Sequence, residues 1–524
     1  MTLFDECSTL HDGLFAHLDF KTAEANYNLV NPKQLTPLMA KLLNFQSPFY
    51  AASEFPFNDG ILKGHLQKES DAVKNLLGIY KIPQLTLDTV RAYTEDYIQA
   101  IQDSKGGVKI ETFLKEYGLD NHEGVILMSL AEALLRIPDD ETAERFLKDK
   151  LHTGNWALHA GHSETFWVNF STWGLVLTGK LLDSNPKEGR MAWLSEQVQS
   201  LLRKMGEPLV LTAVRQAMLV IGQQFVSGQT IHSALEHGHQ EREQGYSHSF
   251  DMLGEAAVTQ HDVGRYIGAY SHAIEAIAEH NQQLANKLHG GDEHSPAQAS
   301  QSSSQSKANS PIPSSISIKL SALHPRFEIR QKHGLEQLKD NLLGLLTLAY
   351  EKDVPVTIDA EESWRLEPTL MIFAQIIGTE PFRHWGKLGI AVQTYQKSAL
   401  GVLEWLSALS KTIHCLIPVR LVKGAYWDSE IKRAQQLGLK EYPVYTSKAH
   451  TDLSYLACVH TLMKTKHFLY PQFATHNAHT VASIITLAQE YHYSHFEFQR
   501  LHGMGQALHD HVLKNTDNIN IEMK

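Results

Sequence analysis

The sequence predicts an α/β protein: a parallel (β/α) barrel following a first region that is almost entirely helical. Three observations carry this reading. Seven short segments from Ser249 onward read as strands whose polar residues fall on one face. Helical stretches separate them, which is the βαβα pattern of a parallel sheet or barrel. Residues 1 to about 235 show helix signals instead. In Ser315–Ser321 the odd positions are polar and the even ones apolar, and Val356–Glu361 repeats this with Thr357, Asp359 and Glu361 on one side. Strand side chains alternate with period 2, so each segment has one apolar face and one that carries functional groups. A barrel interior is normally filled by Val, Ile and Leu. One lined by Lys, Asp, Gln, Arg and His needs a polar partner, because unpaired buried polar groups are costly. A polar ligand at the barrel mouth is the expectation.

The elements follow in order. Asp139–Leu147 starts a helix after a proline, with acids in its first turn. Leu201–Pro208 closes one with basic residues, then Gly and Pro. Met218–Ile221 with Phe225 and Val226 is a core stripe or a cofactor contact. The expected division is a helical arm over 1–100, an all-helical domain over 101–235 and a barrel over 236–524. The first strand candidate is Ser249–Glu255. After a helix ending near Leu288, residues 289–314 are Ser/Gln/Pro-rich and too poor in large apolar side chains to pack, so they read as a disordered surface insertion. Strands follow at 315–323, 354–361, Leu388–Thr394, Ile417–Lys423, Leu469–His476 and Phe496–His502. Gln393 shares a face with Gly389 and Ala391, Arg420 with Val422, and Gln472 with Ala474 and His476. Phe496, Phe498 and Arg500 point at helices, so Glu497, Gln499 and Leu501 point inward. Only Leu513–Lys524 remain after His509–Val512, and an eighth strand could just begin at IEMK. Seven strands do not close an eight-stranded barrel. The expected barrel therefore lacks its eighth strand and helix.

Composition narrows the function classes. Lys and Arg number 47 against 58 Asp and Glu, a net charge of -11, with no basic run that would follow a phosphate backbone. Nucleic-acid binding is disfavoured on that ground. Cys7, Cys415 and Cys458 are odd in number with no CxxC pair, which reads as reduced thiols in a cytosolic protein. The amino terminus has acids where a signal peptide carries its basic region. No apolar run approaches the ~20 residues of a membrane span. Close histidine pairs occur at His159/His162, His237/His239 and His476/His479, but none has a further ligand at metal-site spacing, and no metal is expected. Gly503–Leu508 is the nearest approach to a dinucleotide fingerprint and lacks the final glycine, so a nicotinamide site is not expected.

With these residues in hand, the chain resembles the proline dehydrogenase region of the bacterial proline utilization A enzymes. The blocks that carry the resemblance are SFDMLGEAA (249–257), SISIKLSALHPRF (315–327), IDAEES (358–363), RLVKGAYWDSEIKRAQ (420–435), YPVYTSKAHTDLSYLAC (442–458), YPQFATHNAHT (470–480) and FEFQRLHGMG (496–505). The stretches 154–182 and 206–230 resemble the family's helical region before the barrel. The resemblance implies a distorted (β/α)8 TIM-like barrel holding noncovalent FAD. It also implies oxidation of L-proline to Δ1-pyrroline-5-carboxylate, the first step toward glutamate. Electrons would pass to membrane quinone, from a cytoplasmic protein that can attach at the inner-membrane surface. Two modules of the longer members are missing here, the amino-terminal DNA-binding module and the aldehyde dehydrogenase domain. Also missing is the helix whose paired arginines hold the substrate carboxylate in the family. Arg500, on the outward face, is no substitute.

Removing hydride from a carbon next to an amine requires a neutral amine, a flavin N5 at short range and stabilised charge on the reduced ring. Arg420 suits the last task, since a permanent guanidinium near N5 favours the anionic reduced ring. Its ordinary reading is a structural ion pair at a strand end. Lys319 and Asp359 project from neighbouring strands and can pair. The resemblance puts both on the substrate side of the flavin, and a plain buried salt bridge is compatible with that. By resemblance Tyr426 walls the substrate pocket, Glu255 supports Lys319 or Tyr426, Leu501 contacts the proline ring and Trp427 packs near the cofactor. Gln393, Val422, Gly424, Thr446, Lys448, Thr475, His476, Asn477 and Gln499, together with Asp359 and Arg420, match positions around FAD. Two other functions stay open. One is a Schiff-base lyase or aldolase using Lys319. The other is a fragment that holds FAD with little turnover because the arginine pair is absent.

Overall fold

The computed structural model describes residues 64–81, 84–103, 226–252, 254–289, 312–328, 332–515 and 520–523, together with Ile61, Thr142 and Arg145. The helix signals at Asp139–Leu147 and Leu201–Pro208 and the stripe from Met218 to Phe225 fall outside these residues, apart from Thr142 and Arg145, which are helical. The chain divides into two compact units. One comprises 1–102, 238–501 and 505–524, and the other 103–237 with 502–504.

Helices α1 (Glu69–Ile79) and α2 (Gln84–Asp103) come first, and α3 (Ile231–Glu243) follows. The start of α3 is closed by reciprocal hydroxyl caps. Ser233 Oγ accepts from Thr230 N–H at 3.1 Å, and Thr230 Oγ1 accepts from Ser233 N–H at 3.2 Å.

The larger unit is the barrel. In chain order its elements are β1 (Tyr246–Asp251), α4 (Gln260–His289), β2 (Ser315–Ile318), α5 (Lys332–Glu351), β3 (Val356–Ile358), α6 (Ser363–Ile377) and β4 (Leu388–Gln393). There follow α7 (Ala399–Ile413), β5 (Ile417–Val422), α8 (Trp427–Gln436), α9 (Lys448–Lys464), β6 (Leu469–Ala474), α10 (Ala478–Glu490), β7 (Glu497–Arg500), α11 (Gln506–Asn515) and β8 (Asn520–Met523). Neighbouring strands are parallel and the sheet closes in the order β1 to β8. All seven expected strands are present, most of them trimmed at the ends, and the first begins at Tyr246 and stops at Asp251.

The barrel reading holds with one amendment. Residues Asn520–Met523 form an eighth strand, which pairs with β7 through Phe498↔Ile521 and with β1 through Tyr246↔Ile521. Four residues suffice because both neighbours already present their edges. The insertion boundary also needs correcting. Ser314 is fully buried, its N–H donates to Asn281 Oδ1 at 2.9 Å and its Oγ accepts from Arg242 at 2.5 Å, so 312–314 belong to the packed barrel. Residues 290–311 lie outside the described part.

Alternation decides the layers. Ile316, Ile318, Val356, Ile358, Leu388, Ile390, Val419, Leu421, Phe473 and Phe498 form the apolar face and are all at most 1% exposed. Phe473 stacks edge-to-face on Phe496 with centroids 5.5 Å apart, and Phe496 on Phe498 at 5.6 Å. Buried Tyr455 on α9 donates its hydroxyl toward the carbonyls of Ala474 (3.1 Å) and Leu421 (3.3 Å), tying the helix layer to the ends of two strands. Helix α1 lays Ala72 and Leu76 on Tyr445 and Ala457. Helix α2 meets α11, where His511 bonds Asp96 at 2.8 Å and packs against Tyr97. Among the described residues Cys415 and Cys458 are buried cysteines outside any disulfide, and no helix is long and apolar enough to cross a membrane.

Two outcomes follow from this packing. Phe473→Ala should lower unfolding stability by about 3–5 kcal/mol, read by denaturant titration, since it empties a fully buried aromatic position. His509 is fully buried, and burial pushes its pKa down to about 4; the Thr475 carbonyl at 2.9 Å pulls the other way, while His476 and Arg500 add smaller contributions to the fall. A histidine depressed on folding contributes stability that is complete above its unfolded value of 6.5 and disappears as pH falls toward 4. Wild type should therefore lose about 2 kcal/mol more than His509→Gln between pH 8 and pH 5. Parallel pH profiles would contradict this.

Candidate active site

The polar face of the barrel converges on Arg420. This side chain leaves β5 on the inward phase and is 1% exposed. Its Nε donates to Gln499 Oε1 at 2.7 Å from β7. Nη1 donates to Ser317 Oγ at 2.7 Å from β2 and to Asp359 Oδ1 at 2.9 Å just after β3. Nη2 donates to Ser249 Oγ at 2.9 Å from β1. One guanidinium thus binds four strands or their ends, and no smaller cation has the reach or the five donors to do so.

Asp359 bridges Arg420 to Lys319, whose Nζ lies 3.1 Å from Asp359 Oδ2 and 2.5 Å from Asp251 Oδ1. Burial works against the charge on Lys319, but Asp359 and Asp251 outweigh it and hold its pKa well above the ordinary lysine value. Lys319 is a fixed ammonium at neutral pH. In the other direction Gln499 Nε2 donates to Glu497 Oε1 at 2.7 Å, and Gln472 Nε2 donates to the same oxygen at 2.7 Å. A continuous ionic and hydrogen-bonded chain therefore runs Asp251–Lys319–Asp359–Arg420–Gln499–Glu497–Gln472 across the interior. Lys319, Asp359 and Arg420, expected together from strand phase, are joined through Asp359, which touches both cations.

Above this layer lies the mouth at the carboxyl ends of the strands. Glu361 is held by Ser321 N–H at 2.9 Å and Arg365 at 2.5 Å, while burial pushes its pKa up. Ser321 Oγ accepts from Ala256 N–H at 2.9 Å, which fixes the loop carrying Glu255. Tyr426 OH donates to Glu255 Oε2 at 2.9 Å. Burial, then Glu255 and Glu361, push the phenol's pKa far above its usual value, so it remains a donor. Glu255 is thus the partner of Tyr426, one of the two expected for it, and it sits on the loop after β1, not in the strand. Gln393 donates to the Glu361 carbonyl at 2.7 Å and accepts from Ala425 N–H at 3.2 Å. The loop above it passes Gly424 at φ +140°, where a Cβ would meet the Tyr395 ring at 2.4 Å. Only glycine fits that backbone. Val422 supplies its carbonyl to Thr394 N–H at 2.8 Å.

Trp427 donates Nε1 to the Tyr445 carbonyl at 2.9 Å yet leaves 43% of the residue exposed, and Leu501 is 46% exposed. Both stand at the rim as uncovered apolar surface. His476 is exposed at the rim, yet its Nε2 accepts from Leu501 N–H at 2.9 Å, which requires that nitrogen to be unprotonated; desolvation by the surrounding protein and then Arg500 lower its pKa in the same direction. Thr475 Oγ1 accepts from Asn477 N–H at 3.2 Å, and Asn477 Oδ1 caps α10 through Thr480 N–H at 2.9 Å. Thr446 and Lys448 lie farther round the rim. Thr446 is engaged by Glu69 of α1 at 2.7 Å through its hydroxyl, and Lys448 by Asp452 at 2.7 Å. Arg500 sits on the outward face as expected, stacked 4.7 Å over Tyr246 and 3.7 Å from Glu241.

Asp251, Ser249, Ser317 and Glu497 belong to the network but were not singled out as site residues from sequence. The signal was available: Ser249 and Asp251 alternate in one strand, Ser317 shares the phase of Lys319, and Glu497 that of Gln499. What alternation cannot tell is how far each side chain reaches across the barrel. Among the described residues no cluster of three His, Cys, Asp or Glu side chains is placed to hold a metal.

Comparison with known proteins bears on the family to which the chain belongs. A family model described as "Proline dehydrogenase" matches residues 234–523, and one described as "DNA-binding domain of Proline dehydrogenase" matches 109–225. The second description overturns the exclusion of nucleic acid drawn from net charge, since a charge summed over the whole chain does not describe a local surface. Bifunctional protein PutA of Escherichia coli is 40% identical over 458 residues, 86% of this chain and 33% of that protein. Proline dehydrogenase 1 of Bacillus subtilis is 26% identical over 282 residues, 53% of this chain and 74% of that one. A crystal structure of a Bradyrhizobium japonicum PutA variant superposes with a TM-score of 0.62 at 38% identity, covering 92% of this chain and 44% of that one. The chain spans about a third of the length of the PutA relatives it matches. With the first family model covering more than half of its residues, the chain belongs to the proline dehydrogenase family.

Proposed function

We propose that this chain carries out the FAD-dependent oxidation of L-proline to Δ1-pyrroline-5-carboxylate and passes the electrons to membrane quinone. The observation that carries the reading is the Arg420–Asp359–Lys319 triad beneath the mouth of a barrel whose family is proline dehydrogenase. The residues suit a flavin. Gly424 leaves bare exposed backbone at the rim, Trp427 and Leu501 offer uncovered apolar faces, and Lys448, with 78% of its side chain exposed, can meet a pyrophosphate. Gln393, Arg420, Val422, Gly424, Gln499 and Trp427 would hold the ring system, and Thr446, Lys448, Thr475, His476 and Asn477 the ribityl and diphosphate part. When bound, FAD supplies the hydride acceptor.

The chain's own groups do the rest. Arg420 places a permanent positive charge in a low-dielectric interior, where negative charge developing on an adjacent ring is stabilised without reorganisation. Lys319 offers ammonium protons to an anionic oxygen of the substrate, held in place by Asp359. Tyr426, kept protonated and tied to Glu255, walls the pocket, and Leu501 covers the apolar edge of a small ring. Neutral His476 holds the Leu501 backbone. A Schiff-base role for Lys319 would need a free amine, and two carboxylates within 3.1 Å oppose that. Cytoplasmic residence with attachment at a membrane surface goes with the quinone reading.

Protein purified with FAD should show flavin absorbance that bleaches anaerobically on adding proline. FAD bound with a spectrum indifferent to proline would leave only a cofactor-holding fragment, and borohydride trapping of substrate on Lys319 would favour a lyase. Arg420→Met should slow flavin reduction by about 10²-fold or more. It should also cost about 3–5 kcal/mol of stability, because it strands buried partners. Arg420→Lys separates the two effects by keeping the charge while losing the bonds to Ser249 and Gln499. Unchanged single-turnover reduction in a flavin-loaded Met variant would remove Arg420 from the mechanism.

A further inference from the structure

Lys319 has a carboxylate on either side, and the two differ. Asp359 keeps 6% of its side chain exposed and spends its other oxygen on Arg420, whereas Asp251 keeps 29% and stands at the end of β1 facing the open mouth. The Lys319 side chain as a whole is 14% exposed, between the two carboxylates in this respect. We propose that Asp251 is a positioning residue: it draws the Lys319 ammonium away from the buried Asp359–Arg420 pair and aims it into the mouth as a hydrogen-bond donor for an anionic substrate oxygen. The inference deepens the proline dehydrogenase reading and rests on it for the identity of that oxygen.

The surroundings of Lys319 support the division of labour. Its backbone N–H donates to Tyr270 OH of α4 at 3.2 Å, which fixes the root of the side chain but not its tip. Asp359 faces the ammonium from the end of β3, Arg420 stands behind Asp359, and Tyr426 with Glu255 faces it from the rim. With Asp359 alone, the ammonium would sit deeper, against the carboxylate that Arg420 already neutralises. The ammonium lies 2.5 Å from Asp251 and 3.1 Å from Asp359, so it is held closer to the more exposed of its two carboxylates. Asp251 is one residue of β1 beyond Phe250, which pairs with Ile316, so strand closure sets its height in the mouth.

Competitive acylation of the full chain with acetic anhydride, read at Lys319 by mass spectrometry across pH, tests this without any bound cofactor. Asp251→Asn should make acetylation of Lys319 about tenfold faster than in wild type at every pH from 7 to 9, the change expected when the ammonium loses about one pH unit of stabilisation. Asp251→Glu should restore the wild-type profile, and Lys319→Met identifies the labelled site. In FAD-loaded protein, Asp251→Asn should raise KM for proline about tenfold with a much smaller change in kcat. Coincident labelling profiles for wild type and Asp251→Asn would overturn the proposal. If wild type fails to bleach with proline while the labelling shift is present, the role of Asp251 stands and the substrate assignment falls.

Discussion

A single guanidinium organises this barrel. Arg420 occupies the place where barrels of this kind normally stack Val, Ile and Leu, and it satisfies itself with Ser249, Ser317, Asp359 and Gln499 from four different strands or their ends. Burying such a charge is tolerable only because every direction of its fork meets an acceptor, one of them a carboxylate. The cost of failing that condition is what makes the position specific. Small hydroxyls on β1 and β2 leave the width the guanidinium needs, and the two carboxamides and Glu497 on the opposite side complete the polar floor.

From that centre the charges alternate outward. Asp359 neutralises Arg420, Lys319 neutralises Asp359, and Asp251 neutralises Lys319 at the edge of solvent. Alternation keeps each buried ion paired while carrying charge toward the mouth, where a ligand can meet it. The rim continues with neutral partners: Tyr426 donates its hydroxyl to Glu255, and His476 Nε2 accepts from Leu501 N–H. A site built this way presents paired charges and committed hydrogen-bond partners to whatever occupies the mouth. That would suit the flavin-dependent oxidation proposed above, in which the protein stabilises developing charge.

The outer layer explains why a short final strand is enough. The β7–β8–β1 seam is backed by Arg500, which stacks on Tyr246 and approaches Glu241, while the Tyr246 hydroxyl donates to Asp510 of α11 at 2.6 Å. Side chains on both sides of the seam are thereby held together independently of β8. The arm helices act on the other flank, where Glu69 engages Thr446 and His450 at the head of α9. Positions that resemble cofactor contacts are thus partly committed to holding the arm.

Period-2 alternation made the strands and their polar faces legible in the sequence, and with them the convergence of Lys319, Asp359 and Arg420, because side-chain phase is a local property of extended backbone. The outward turn of Arg500 was legible for the same reason. Closure was not. Whether four residues at Asn520–Met523 count as a strand depends on two partner edges supplied from positions far away in the chain, and no local pattern reports that. The same limit hid Asp251. Its alternation was visible, but its contact with Lys319 depends on the register of β1 against β2, and likewise the packing of Ser314 depends on Asn281 and Arg242 meeting it. Sequence determined which residues face inward. Tertiary structure decided which of them touch, because distance across a barrel is set by closure, stagger and side-chain reach rather than by order along the chain.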